Sequence, residues 1–159
     1  MLSVRLICVG KLGEKFWADA VKEYTKRLGA IVNQRSSSCP SSVCRRRPLR
    51  ARSRRRWKGS RAHRSKLLPG ASVIAMCVEG KRCPLSSWRT ISGKLTVSGT
   101  SKISVIIGSS CGLSERVKKK AALRLSMSPM TFPHHLARVM VLEQIYRALN
   151  IAAGGKYHK

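Results

Sequence analysis

Two glycines in the last third of the chain could serve a ligand site. Gly108 ends an apolar run and Gly112 follows four residues later. Glycine lacks a side chain, so its backbone can approach a ligand or another chain segment closely. A pair of glycines after a strand is also typical of an ordinary turn, and this alternative stays open. Neither a G-x-G-x-x-G dinucleotide motif nor a Walker-type phosphate loop surrounds them.

A second loop, residues 127–132, leads from an apolar segment into a helical pattern. Loops at the carboxyl ends of strands are where α/β sheets bind ligands, and a helix that begins there offers free amide donors. A purely local interpretation is a helix entry with Thr131 as the cap and Pro133 in the first turn. The sequence therefore predicts two neighbouring loops with the capacity to bind a ligand.

Other kinds of chemistry have little support. His134 and His135 are adjacent, so they point in different directions on a helix, and polar helix-start residues are favoured over a metal site. The 6 acids are scattered and no Ser/His/Asp or Cys/His pattern occurs, which argues against hydrolysis. The 6 cysteines lack C-x-x-C spacing, and we interpret them as small hydrophobic residues in a reducing compartment.

The elements that must position these loops alternate between strand and helix. Nearly continuous apolar runs predict strands at residues 2–9, 71–78 and 102–107, as in parallel sheets covered on both faces. A shorter strand is predicted at 123–126. Apolar spacings of three and four predict a first helix that Gly29 closes. The pattern predicts one α/β domain over residues 1–159.

Two further helices are predicted near the loops. Ser114 can cap a short helix that runs toward Ala122. A long helix should extend from Pro133 to Ala153, with Glu143 and Arg147 as an i,i+4 ion pair and glycines after its end.

The net charge is extreme and uneven. The 159 residues carry 33 Lys and Arg against 6 acids, a net charge of +27 that favours polyanions such as nucleic acid as partners. Lys15, Lys22, Lys26 and Arg27 on the first helix are typical of a solvated face, with an RNA footprint as the alternative. No apolar run reaches the roughly 20 residues of a membrane span, and no export-type cleavage region follows the first strand. We expect a cytoplasmic protein without membrane contact.

Residues 34–66 do not fit the α/β pattern. Thirteen Lys or Arg residues lie between Arg35 and Lys66, with many serines and few aliphatic residues. One interpretation is a disordered basic arm that binds RNA backbone. The other is an out-of-frame reading of GC-rich coding sequence, of which residues 82–93 could be a second instance. Both interpretations stay open.

Several motifs together resemble one known family, the bacterial large-subunit ribosomal RNA pseudouridine N3-methyltransferases of the SPOUT superfamily (ribosomal RNA methyltransferase H). The resemblance covers residues 1–32 and 68–159, apart from the patch after Lys81. The motifs are Val9-Gly-Lys-Leu-Gly-Glu-Lys-Phe-Trp17, Ile107-Gly-Ser-Ser-Cys-Gly-Leu113, Leu125-Ser-Met-Ser-Pro-Met-Thr-Phe-Pro-His-His135, Leu142-Glu-Gln-Ile-Tyr-Arg-Ala148 and Tyr157-His-Lys159.

The resemblance implies an α/β knot, in which the C-terminal chain forms a trefoil and the knotted loops hold S-adenosylmethionine. It places the cofactor contacts at Met76, Gly108, Met127, Ser128, Pro129, Met130, Thr131 and Phe132. Position 76 is often Leu in the family, and a volume-conserving exchange to Met should be tolerated. The resemblance also implies a homodimer that methylates N3 of a pseudouridine in 23S ribosomal RNA, within the 50S subunit or 70S ribosome.

For the methyl transfer itself we expect Tyr157 and His158 to close over the cofactor and to order the substrate base. Arg138 should contact RNA or the methionine carboxylate. A frayed terminus is the ordinary alternative for residues 157–159. Two alternatives to the enzyme remain: a non-enzymatic basic RNA-binding protein, or an inactive, misfolded member of the family.

Overall fold

Among the described residues the sheet has five strands, all of them parallel. In the computed structural model, which describes residues 2–39, 67–84, 101–109 and 112–155, the strand order is β2-β1-β4-β3-β5. Every pairing between neighbouring strands is parallel. The strands are β1 (Ser3–Val9), β2 (Asn33–Cys39), β3 (Ser72–Arg82), β4 (Lys102–Ile107) and β5 (Leu123–Ser126).

Three helices occur within the described ranges: α1 (Lys15–Gly29), α2 (Glu115–Lys120) and α3 (His134–Ala152). The predicted cap of α2 is confirmed, since the Ser114 hydroxyl accepts a hydrogen bond from the Val117 amide. The predicted end of α3 is confirmed as well. Gly154 has φ +79°, its amide donates to Ile151, and the Gly155 amide donates to Asn150, which is a Schellman motif.

The predicted start of α3 was wrong in one respect. Pro133 occupies the N-cap position rather than the first helical turn, because its ψ of 135° is extended. No side chain caps this helix end, so Thr131 is not the cap. The first amides of α3 are therefore available to other acceptors.

The first part of residues 34–66, the segment that did not fit the α/β pattern, contributes a strand to the sheet. Residues 34–39 belong to β2, which pairs with β1 over its whole length, from Ser3 with Asn33 to Val9 with Cys39. Main-chain pairing supports an edge strand even where the sequence offers no apolar alternation. Residues 40–66 lie outside the described residues, as do residues 85–100, which include most of the second anomalous patch.

Two hydrophobic clusters lie on opposite faces of the sheet. Side chains alternate across β1, so Leu6 and Cys8 enter the larger cluster while Ile7 enters the smaller one. Helices α1 and α3 pack against each other beside the larger cluster. Val117 of α2 belongs to the smaller cluster. The predicted α/β class, with helices on both faces of a parallel sheet, is confirmed, and the trefoil knot stays a prediction.

Helix α3 crosses one face of the sheet, from the edge strand β5 toward β1. The chain leaves the edge strand β5, and α3 then contacts β4, β1 and α1. This course brings residues 127–133 across the carboxyl ends of β3 and β4. No helix in the described part of the chain is long and apolar enough to cross a membrane.

Candidate functional site

A pocket of about 270 Å³ lies at the carboxyl ends of β3, β4 and β5. Parallel α/β sheets bind ligands at this edge, where several strand ends and the loops after them converge. Four segments line it: residues 76–79 of β3, the loop after β4 with α2, the loop after β5, and the first turns of α3.

The pocket brings together most of the residues predicted for the cofactor. Its lining includes Met76, Gly108, Met127, Ser128, Met130, Thr131 and Phe132. Pro129 is exposed and is not part of this lining. Residues from three separate parts of the sequence therefore meet in one cavity, which the linear motifs alone could not establish.

Gly108 lies where the backbone crosses itself closely. A Cβ atom at this position would lie 2.6 Å from the carbonyl carbon of Gly112, a distance that real Cβ atoms do not show. Gly112 has φ +69°, and its amide donates to the Ser109 carbonyl over 2.7 Å. The ligand-site loop and the ordinary turn, the two alternatives for these glycines, are thus the same feature. The tight turn requires both glycines and also forms a wall of the pocket.

Strand β3 contributes a wall that sequence reasoning missed. Met76 and Lys81 both align with Leu125 of β5, so residues 77–80 form an irregular excursion between them. Gly80 lies directly over the β5 backbone, and a Cβ there would be 2.5 Å from the Leu125 carbonyl carbon. The Glu-Gly step within an apolar strand was the available signal for a close backbone approach.

Hydrogen bonds shape the loop after β5. The Ser126 hydroxyl donates to the Ser128 carbonyl over 3.0 Å, and the Ser128 hydroxyl accepts from the Met130 amide over 3.1 Å. Met130 is 71% exposed, an unusual position for a large apolar side chain. The loop therefore presents an apolar side chain at the pocket while two of its serine hydroxyls form hydrogen bonds within the loop.

An ion-pair network closes one side of the pocket. The Lys118 ammonium donates to Glu79 of β3 and, over 3.0 Å, to Glu115 of α2. The hydrogen bond from Lys118 is the largest cause that lowers the pKa of Glu79. Burial lowers the pKa of Lys118, but its hydrogen bonds to Glu79 and Glu115 outweigh burial and raise it. Glu79 and Lys118 are thus both charged at neutral pH.

Two other titratable groups face the pocket. Burial, followed by the charges of His135 and Arg138, lowers the pKa of His134, so its imidazole is neutral near pH 7. Burial, followed by the charge of Glu79, raises the pKa of the Cys77 thiol, which keeps it protonated and weakly reactive. Interpreting His134 only as a polar helix-start residue therefore missed its place in the pocket wall.

Arg138 lies beside the pocket rather than in its lining. Its side chain is 1% exposed, and Nη2 donates to the Gly10 carbonyl over 3.0 Å. The side chain joins α3 to the loop after β1. In this conformation it does not reach solvent, so its predicted contact with RNA or with a carboxylate stays a prediction. Tyr157 and His158 lie outside the described residues.

The described cysteines are not in disulfides: Cys8, Cys77 and Cys83 are all thiols, and Cys8 is buried as predicted. No cluster of three potential ligands occurs among the residues that the structure describes.

Comparison with known proteins agrees with the geometry. A family model described as "Predicted SPOUT methyltransferase" matches residues 2–158. Ribosomal RNA large subunit methyltransferase H of Desulfitobacterium hafniense is 37% identical over 161 residues, covering 100% of both chains. The protein of the same name from Bifidobacterium adolescentis is 41% identical and covers 99% of this chain and 100% of its own.

Solved structures show the same fold at low sequence identity. A probable methyltransferase from Bordetella pertussis has a TM-score of 0.56 at 12% identity, covering 92% of this chain and 95% of its own. A methyltransferase from Legionella pneumophila, solved with bound S-adenosylmethionine, has a TM-score of 0.50 at 14% identity, covering 95% of this chain and 66% of its own.

A parallel α/β sheet with a pocket at its carboxyl edge defines a ligand-binding class of proteins. Within that class, the chain belongs to the SPOUT methyltransferases and to the family of ribosomal RNA large subunit methyltransferase H. The predicted family and the predicted enzyme class, a methyltransferase, are confirmed.

Proposed function

We propose that the protein transfers a methyl group from S-adenosylmethionine to N3 of a pseudouridine in 23S ribosomal RNA. The observation that carries this proposal is the convergence of seven of the eight predicted cofactor residues in one pocket. The full-length identity to proteins named for ribosomal RNA methylation supports RNA as the acceptor.

The pocket residues suit the cofactor. Met76, Met127 and Phe132 are partly buried against the core and offer apolar contacts for an adenine ring. Gly108 leaves the backbone bare, so that main-chain groups can approach the ligand. When bound, S-adenosylmethionine supplies an electrophilic methyl group on a sulfonium centre.

The protein must align the acceptor nitrogen and assist loss of its proton. N3 of pseudouridine is an imide-type nitrogen that needs a base or a positive environment to react as a nucleophile. Tyr157, His158 and Arg138 are our first candidates for ordering the base and managing its charge. His134 is a further candidate for accepting the proton, because it lines the pocket and its lowered pKa keeps it neutral.

The protein should act as a homodimer in the cytoplasm, on the 50S subunit or the 70S ribosome. Leu136 and Met140 of α3 are only half-buried and lie outside the two core clusters, which supports α3 as part of a subunit interface. Sedimentation of the purified chain at micromolar concentration would test the dimer.

Two measurements test the proposed reaction. Titration with S-adenosylmethionine should show saturable binding, which a non-enzymatic RNA-binding protein or a misfolded chain would lack. Incubation with 50S subunits or 70S ribosomes lacking the modification should transfer labelled methyl groups to one nucleotide, identified by mass spectrometry. Binding without transfer to N3 of a pseudouridine would contradict the assignment of the acceptor. Deletion of residues 157–159 should abolish transfer, and unchanged turnover would remove these residues from the mechanism.

A further inference from the structure

Five exposed cations lie on elements that line one side of the pocket. This group, called the basic rim below, consists of Lys81 and Arg82 at the end of β3, Lys119 and Lys120 at the end of α2, and Arg124 of β5. All five side chains are exposed, and none of them has an ion-pair partner within the described ranges.

The three elements that carry these cations each contribute a residue to the pocket lining. Arg82 pairs in the sheet with Ser126, a pocket-lining residue, and Lys81 pairs with Leu125. The charge of Arg124 acts on both Cys77 and Glu79, which line the same wall. Lys119 and Lys120 lie in the last turn of α2, the turn that also carries the pocket-lining Lys118.

The carboxylates in this region do not offset the rim. The chain has only 6 acids, and two of them, Glu79 and Glu115, lie here. Both are engaged by the single ammonium of Lys118. Because Lys118 already offsets part of their charge, the five rim cations leave a net positive surface around the pocket opening.

We propose that the basic rim binds the phosphates of the RNA strand on either side of the target base. This inference rests on the proposed function, since it assumes an RNA acceptor at the pocket. Exposed Lys and Arg that neutralise phosphates release counterions, and each contact contributes about 0.7 to 0.9 to the slope of log affinity against log salt. The rim holds the backbone while the pocket holds the base, which is the usual division between positioning and reading.

The test compares three variants of the full chain. Lys119→Ala/Lys120→Ala/Arg124→Ala removes three rim cations. Lys119→Arg/Lys120→Arg/Arg124→Lys keeps their charge. Lys15→Ala/Lys22→Ala/Lys26→Ala removes the same charge from the exposed face of α1. The measured quantities are kcat/KM for methylation of unmodified 50S subunits, its salt slope, and the Kd for S-adenosylmethionine. Binding to a free RNA fragment that contains the target is measured as a control.

We expect the rim alanine variant to lose about tenfold or more in kcat/KM near 0.15 M salt, with its salt slope reduced by about two. Its Kd for S-adenosylmethionine should stay within about twofold of wild type. The charge-preserving variant and the α1 variant should both stay near wild type in all three quantities. Since basic residues in the last turn also stabilise a helix, the charge-preserving variant separates binding from a loss of α2.

Each contrary result has a distinct meaning. Equal losses in the rim and α1 variants would overturn the rim as a specific site. A loss on 50S subunits without weaker binding to a free RNA fragment that contains the target would overturn it in favour of an acidic protein contact. If the wild-type chain itself binds cofactor but methylates no RNA, the proposed function fails rather than the placement of the rim.

Discussion

The exposed face of α1 and the basic rim are both rich in lysine and arginine, yet they differ in how acids are distributed. On α1, Asp19 and Glu23 alternate with the cations, and Arg27 donates to Glu23 over 2.7 Å. At the rim, one lysine engages both nearby carboxylates, and five cations have no ion-pair partner among the described residues. Two acids offset half of the four cations on α1, whereas two acids stand against six cations at the rim, counting Lys118.

The difference shows why the net charge of +27 is a poor guide to function. Charge attracts RNA where it is uncompensated and where it adjoins a site at which chemistry can occur. The rim meets both conditions because the ends of β3 and β5 and helix α2 converge on the pocket. Helix α1 contributes no residue to the pocket lining, whereas β3, β5 and α2 each contribute at least one.

The largest effect should come from a substitution that damages the pocket but leaves both charged surfaces intact. Gly108→Ala places a methyl group 2.6 Å from a Gly112 backbone carbon, which cannot move without opening the turn. We expect the Kd for S-adenosylmethionine to rise at least about tenfold and the free energy of unfolding to fall by about 2 kcal/mol. RNA binding at the rim should persist in the folded fraction. Calorimetric titration and urea unfolding measure the two quantities.

Gly13→Ala is the matched control for this change. Nothing lies within 4 Å of a Cβ built at Gly13, and its φ is not positive. Cofactor affinity should be unchanged in this variant. If Gly108→Ala also binds the cofactor normally, the turn after β4 is not a wall of the cofactor site.

A second pair of glycine substitutions compares the stability of β3, which carries two rim cations, with that of α1. Gly80→Ala forces a methyl group against the Leu125 backbone, so β3 and β5 must separate and Lys81 must shift. We expect a loss of about 1–3 kcal/mol in the free energy of unfolding. Gly29→Ala, at the last residue of α1, meets no atom within 4 Å and should raise stability by up to about 0.5–1 kcal/mol. Urea unfolding measures both changes in the free energy of unfolding. A fall for Gly80→Ala and a rise for Gly29→Ala would confirm the prediction, and a change in the same direction in both variants would contradict it.

The sequence predicted the fold where apolar patterning was continuous. The 102–107 run became β4 with the same bounds, and α1 ended at Gly29 as expected. β2 was missed because residues 33–39 offer no apolar periodicity, and this strand exists through main-chain pairing with β1. Residues 79–82 of β3 were missed because the irregular excursion interrupts the apolar run before the strand resumes pairing.

The candidate site was predictable in its cofactor residues but not in its electrostatics. The loops at 108 and 127–132 carry local signals, namely glycines and a helix entry, and the resemblance assigned them. The pair between Lys118 and Glu79 spans 39 residues, so no local pattern reveals it. The same holds for the rim, whose members come from three elements that only the sheet order brings together.

Removing Lys118 tests whether the carboxylates near the pocket affect RNA binding more than those on α1 do. Lys118→Met leaves Glu79 and Glu115 without their cation at the pocket edge, and the uncompensated carboxylates should repel RNA. We expect RNA affinity to fall about three- to tenfold at low salt, with a smaller loss at high salt where charges are screened. Filter binding at two salt concentrations measures this.

Glu79→Gln in the Lys118→Met background provides the reciprocal test, because it removes one of the exposed charges and should restore most of the affinity. Arg27→Ala is the counterpart on α1, where Glu23 loses its partner. Its RNA affinity should stay within about twofold. A similar loss for Arg27→Ala would show that the two surfaces do not differ in their contact with RNA.

The smallest effect should be a pH dependence confined to the pocket side, since α1 carries no histidine. The pKa of His134 is lowered by burial, by His135 and by Arg138, so the unfolded chain binds this proton more readily than the folded one. The stability contribution is therefore present above the unfolded pKa near 6.5 and is lost as pH falls toward the lower folded value. In His134→Gln the fall in unfolding free energy between pH 7 and pH 5 should be shallower than in wild type.

His135→Gln removes only one of the three causes of the lowered pKa and should change this fall by less than His134→Gln does. Urea unfolding at several pH values measures both, and an unchanged slope in His134→Gln would mean that the pocket does not disfavour the imidazolium.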